Sequence, residues 1–265
     1  MRMRHTAVAA VLFFGLAGTP AHAVTAGDLA AHRAMYDLRL QSTHGGDVTA
    51  ASGTMAYEVQ DACDGWAVRQ RLRMTVTNQD GQDVEMVSDY TTWESKDGLK
   101  LRFRMRQSTD QKVTSDVAGD ASLNGPGLAG TAHYTSPEDA TKELPKGTLF
   151  PMAHTAALLS AAEAGKRFIA IPLFDGTTAN GAQDSFITVT KWSGPQEGKW
   201  PALSKLPGGR MHVAFFDRDT TTQEPDYEVG MHYWENGVAD DLAMDFGDFV
   251  MAGKLTEFRL LPHGC

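Results

Sequence analysis

A period-two alternation of apolar and polar residues runs through almost the whole chain, and it limits the fold more than any other feature. "MYDLRL" places Tyr36, Leu38 and Leu40 on one face, and "GTMAYEVQ" does the same with Met55, Tyr57 and Val59. "WAVRQRLRMTV" aligns Trp66, Val68, Leu72, Met74 and Val76, and "KLRFRMR" sets Leu101, Phe103 and Met105 against Lys100, Arg102, Arg104 and Arg106. Each stretch reads as a strand with one wet face. The turn sequences "HGGD", "DGQD" and "KDG" between them predict an antiparallel meander. Residues 117–147, with "NGPGLAG" and "SPEDATKELPKG", are rich in Gly, Pro and small polar residues and predict an excursion that is at most loosely stranded.

One segment breaks the pattern. "TLFPMAHTAALLSAAEAGK" has Pro151 near a helix start and Gly165 just past its end, with Met152, Thr155, Leu159 and Ala162 on one stripe, and predicts an amphipathic helix over about 149–164. Alternation resumes in "KRFIAIPLFDG", "DSFITVTKW", "RMHVAFFD", "DYEVGMHYWE" and "KLTEFRLLP". So many strands with one helix predict an all-β domain, a meander curled into an open, spiral-like β-barrel whose open side the helix plugs.

The N-terminus reads as an export signal. Arg2, Arg4 and His5 precede the apolar run "AVAAVLFFGLAG", too short to span a bilayer, and Ala21-His22-Ala23 fits the small-x-small pattern of a cleavage site. Residues 1–23 are therefore expected to be removed, leaving a single periplasmic or secreted domain, 24–265. Removing Arg2 and Arg4 from the 24 basic residues leaves 22 against 33 acids, a balance that argues against nucleic acid as a partner. In an oxidising compartment the only two cysteines, Cys63 and Cys265, are expected to pair. They are 202 positions apart, 265 minus 63, and closing so large a loop stabilises by roughly 5 kcal/mol in the chain-entropy picture. No CxxC pair suggests redox catalysis.

No nucleophile elbow, Walker loop, dinucleotide fingerprint or zinc spacing occurs, so no cofactor or metal is expected. His154, beside Phe150 and Pro151 on the helix, reads as a hydrogen-bonded structural histidine or as a polar group facing a cavity. His32, with Arg33 and Tyr36, reads as an anchor. Asp217, Asp219, Thr221 and Glu228 imitate an EF-hand frame that fails at Thr222, where glycine is needed, so a hairpin loop is expected. Asp240, Asp241, Asp245 and Asp248 read as a solvated acidic face. Arg69, Arg71 and Arg73 share one strand face and Arg102, Arg104 and Arg106 another, with "VEMVSDYTTW" between them. Glu85, Asp89 and Glu94 are their expected cross-strand partners, and the surplus of cations predicts a basic surface for an anionic ligand or partner. Five tryptophans and many methionines fit either a packed core or an adaptable apolar pocket.

"HRAMYDLRL", "ACDGWAVRQRL", "TWESKDGLKLRF", "TLFPMAHT", "PLFDG" and "YWENGVADDLAMDFGDFVMAGKLTEF" together resemble, in order along the chain, the EipB-like family of periplasmic proteins associated with cell-envelope integrity. The resemblance implies an open β-spiral with an internal cavity, similar in shape to the LolA and LolB lipoprotein carriers. It also implies a disulfide between an early cysteine and one near the C-terminus, where Cys63 and Cys265 stand, and no established enzymatic activity. The expected function is a monomeric, non-enzymatic envelope protein that binds a lipid, lipopeptide or periplasmic protein partner in or on the curled sheet. Phe150, His154, Leu158 and Leu159 are expected to lie over or against the cleft. A lipid or lipoprotein carrier is the alternative. An envelope hydrolase would need His154 beside a carboxylate such as Asp175.

Overall fold

The computed structural model describes residues 24–45, 47–218, 224–262 and 264. The expected export segment lies outside them, as do Asp219, Thr221, Thr222, His263 and Cys265. Eight strands follow one another as antiparallel neighbours: β1 (His32–Thr43), β2 (Val48–Asp61), β3 (Gly65–Asn78), β4 (Asp83–Ser95), β5 (Lys100–Thr109), β6 (Lys112–Leu123), β7 (Gly130–Ser136) and β8 (Ala140–Leu144). The helix α1 (Pro151–Glu163) comes next. Six more strands complete the chain: β9 (Phe168–Leu173), β10 (Gln183–Ser193), β11 (Gly208–Asp217), β12 (Tyr227–Trp234), β13 (Ala239–Asp245) and β14 (Phe249–Leu260).

All belong to one 14-stranded sheet in the order β8-β7-β6-β5-β4-β3-β2-β1-β14-β13-β12-β11-β10-β9. One arm of the meander leaves β1, and the second returns so that β14 pairs with β1. The two free edges, β8 and β9, are therefore the strands that flank α1 in sequence. They meet through α1 and a single parallel bridge, in which the Leu149 N–H donates to Pro172 O (2.9 Å) and the Phe174 N–H donates to Leu149 O (3.0 Å). The result is an unclosed spiral with a helix in its seam.

Burial shows why the sheet curls. Leu38, Val59 and Trp66 of one arm share a core with Ile187, Met211 and Met251 of the other and with Leu159 and Ala162 of α1. An aromatic cluster stitches the seam, with Phe103 edge-on to Phe174 at 5.3 Å and Phe150 edge-on to Phe174 at 6.2 Å. Gly176, at φ 71°, presses its backbone on the Phe103 ring where a side chain would collide.

Two expectations change in detail. Residues 117–147 are well stranded, because their inward positions, Val117, Ala121, Leu123, Ala132, Tyr134 and Leu144, alternate as elsewhere. The period was hidden by small residues, and the Gly-rich run is a tight turn in which Leu128 N–H donates to Gly125 O at 3.0 Å. The buried positions of α1, which include His154, Ala156 and Leu158, extend well beyond the expected stripe, so protein surrounds more than one of its sides.

Candidate functional site

The site is the lumen beneath α1, and it begins at a helix end that local sequence cannot cap. Phe150 stands at the N-cap and brings no acceptor, while Pro151 brings no N–H. The first free donors, Met152 N–H and Ala153 N–H, are taken by Glu94 of β4, its Oε2 at 2.7 Å and its Oε1 at 2.9 Å. Glu94 is only 1% exposed. Burial pushes its carboxyl up to about 7, against the pull of the two backbone donors. It was expected to face the arginines; instead it shares the inward parity of Tyr90 and Thr92, whereas Glu85 and Asp89 have the outward parity.

Two adjoining cavities occupy the lumen. One, of about 280 Å³ beside α1, is lined by His32, Tyr36, Tyr57, Met152, Thr155 and Tyr233 among others. The second, of about 480 Å³ towards the far mouth, is lined by Leu72, Met74, Met86, Met105, Phe246 and the polar Ser88, Gln107 and Gln183 among others. Met55, Gln70, Phe215, Tyr227 and Met244 line both. Flexible methionines between fixed aromatic rings make an adaptable apolar wall with a few polar anchors.

Those anchors have definite states. His32 Nδ1 lies 2.7 Å from the Ala30 carbonyl, which can only accept, so Nδ1 carries the proton and Nε2 is an acceptor. That Nε2 is buried without a hydrogen-bond partner among the described residues, on a ring set between Tyr57 (5.7 Å) and Phe258 (6.1 Å). Burial lowers the His32 pKa, which keeps the ring neutral near pH 7. The Tyr36 hydroxyl donates to Ala239 O at 2.8 Å.

The helix residues singled out from sequence are placed differently. Phe150, Leu158 and Leu159 are packed into the core, and Met152 and Thr155 are the α1 side chains that reach the cavity. His154 is 2.7 Å from Ser185 Oγ, and the Ser185 hydroxyl donates to Ile171 O at 2.6 Å, so His154 Nε2 donates to Ser185. Burial lowers the His154 pKa to about 4, and the neutral ring serves as a tie between α1 and the β9–β10 hairpin. The pairing that a hydrolase would need is not formed: His154 meets Ser185, and Asp175 accepts from Thr177 and Gln183. Ser185→Ala should cost about 1–2 kcal/mol of stability by orphaning the imidazole N–H. Urea unfolding measures it, and an unchanged midpoint would remove the tie.

On the outer face Arg71 meets Asp89 at 3.4 Å, Arg104 meets Asp116 at 2.8 Å, and Arg102 lies 5.5 Å from the Trp93 ring centre. Arg69, Arg73 and Arg106 have no carboxylate within 4.0 Å among the described residues, so the basic surface persists. Sequence reasoning passed over Arg259 and read Arg33 only beside His32 and Tyr36, and the β1–β14 pairing brings both arginines to this surface. Of the acidic groups weighed as ion sites, Glu228 pairs with His212 at 3.0 Å and Asp240 accepts from Leu255 N–H at 2.7 Å. Among the described residues, no group of three His, Cys, Asp or Glu could hold a metal, and no helix is long and apolar enough to cross a membrane. Cys63 occupies the β2–β3 turn at φ 68°, and the backbone of Gly264 lies against Asp61 and Ala62 beside it.

The sequence model of the EipB-like family matches residues 23–262. A curated relative, the cell envelope integrity protein EipB of Brucella abortus, is 31% identical over 275 aligned positions, which cover 100% of this chain and 96% of the relative. The crystal structure of a beta-barrel-like protein of a domain of unknown function from Brucella abortus superposes with a TM-score of 0.80 at 30% identity, covering 91% of this chain and 100% of that one.

Proposed function

The chain belongs to the EipB-like family, and from that premise we propose that it supports cell-envelope integrity as an exported protein that takes a hydrophobic ligand into its lumen. The observation that carries this reading is the pair of adjoining cavities walled by methionines and tyrosines, with α1 and one parallel bridge closing the seam beside them. Export with cleavage before Val24 places the protein in the periplasm, and a Cys63–Cys265 disulfide suits that compartment. The envelope role rests on the name of the Brucella abortus relative. Uptake of an apolar chain rests on the lumen, and it also suits the carrier alternative.

The test uses the mature protein and the apolar dye N-phenyl-1-naphthylamine. Its fluorescence should rise on binding, and Met244→Trp, at a side chain shared by both cavities, should reduce that rise at least 10-fold. No enhancement, or an unchanged response in a folded Met244→Trp variant, would place no apolar ligand in the lumen.

A further inference from the structure

The outer face carries a second concavity, remote in kind from the lumen. A groove of about 600 Å³ crosses β14, β1, β2 and β3 and is lined by Arg33, Arg69, Arg71 and Arg259, with Met35 and Ala56 between them and Glu58 and Glu257 alongside. A β-bulge makes it. In β14, Leu255 pairs with Tyr36 and Glu257 with Met35, so Thr256 is the extra residue, its hydroxyl donating to Met35 O at 3.0 Å. Strand alternation alone would give Arg259 the inward parity of the buried Leu255. The bulge reverses parity, turns Phe258 inward against His32 and Trp200, and sets Arg259 outward.

The register then creates a conflict. Arg259 stands directly opposite Arg33, which is opposite Glu58, which is opposite Arg69. Like charges directly across a strand pair destabilise it. Glu58 is the one acid among these four positions, and it is engaged by Arg33. Arg69 and Arg259 have no carboxylate within 4.0 Å among the described residues. In a chain of formal net charge −9 this concentration of guanidinium is a local reversal of sign. Guanidinium forks match phosphate oxygens in pairs. The volume is that of a small-molecule site, and Met35 and Ala56 offer apolar surface beside the charges.

We propose that this groove binds the phosphate headgroup of an anionic amphiphile, with the first part of its apolar chain resting on Met35 and Ala56. Isothermal titration calorimetry of the mature protein with monomeric dihexanoyl phosphatidate tests it, alongside dihexanoyl phosphatidylcholine and inorganic phosphate. Phosphatidate should bind at least 10-fold tighter than either, and its affinity should fall as salt rises. The double variant Arg69→Gln, Arg259→Gln should weaken it at least 10-fold. Arg259→Gln alone should keep or raise the melting temperature, because it relieves the opposition to Arg33. A lowered melting temperature would make Arg259 a structural residue and sink the proposal. Absence of phosphatidate binding, or equal binding by the double variant, would also overturn it. Equal affinity for inorganic phosphate would make this a free-phosphate site and remove the amphiphile.

Discussion

Glu94→Ala is expected to lower the unfolding free energy by about 3 kcal/mol, because it leaves Met152 N–H and Ala153 N–H without acceptors in a buried site, each costing about 1–3 kcal/mol, partly offset by the loss of a desolvated carboxyl. For a domain of this size that corresponds to a fall in melting temperature on the order of 10 °C. Glu94 also gives a signed pH dependence. Its carboxyl rises from 4.5 to about 7 on folding, so between those values the folded chain holds a proton that the unfolded chain releases. Stability from this group is therefore fully present below about pH 4.5 and is lost as pH rises through about 7, by up to about 3 kcal/mol. Glu94→Gln removes the titration. Urea unfolding at pH 5 and pH 8 should show the wild type losing stability relative to Glu94→Gln as pH rises, and equal differences at both pH values would refute the raised carboxyl. The consequence reaches function, because α1 supplies Met152 and Thr155 to the lumen wall, and Glu94 takes the first two free N–H groups of that helix.

Much of this architecture was legible because strand parity is a local signal. Tyr36, Leu38, Met55, Trp66, Leu101 and Phe103 point inward as their alternation requires, and Pro151 and Gly165 bracket the helix as their backbone chemistry requires. Parity also held the clue to Glu94. It lies an even number of residues from the inward Tyr90 and an odd number from the outward Asp89, yet its charge suggested a surface ion pair. β6 to β8 escaped because Ala and Gly at strand positions resemble loop composition.

What remained hidden depends on long-range geometry. The Ser185 hydroxyl that meets His154 is 31 residues away, and nothing local marks the pair. The bulge at Thr256 changes which side chains face out, and no turn residue announces it. Whether inward methionines pack or wall a cavity is decided by the diameter of the curl, a property of the whole sheet and not of any strand.

Cys63→Ser is expected to produce a loss of about 3–5 kcal/mol, through the chemistry proposed for Cys63 and Cys265. Once joined, the two residues would enclose most of the domain, 265 minus 63 being 202 positions, and cross-linking so long a loop limits the unfolded chain by roughly 5 kcal/mol, of which measured bonds often deliver less. The position of the bond adds a structural reason. β14 is an interior strand of the sheet, and its pairing with β1 is the joint that unites the two arms. That joint closes the longest loop in the fold and is the pairing most opposed by chain entropy. Leu261 N–H donates to Ala31 O at 2.8 Å just beyond it, and Gly264 lies against the Asp61–Ala62 backbone. A bond at Cys63 would fasten the end of β14 beside the β2–β3 turn, so that the joint could not open from its free terminus. Scanning calorimetry without reductant should show Cys63→Ser melting on the order of 10 °C below the wild type. Dithiothreitol should bring the wild type down to the variant and leave the variant unmoved. A melting temperature indifferent to both the substitution and the reductant would mean that the β1–β14 ladder holds the arms together unaided.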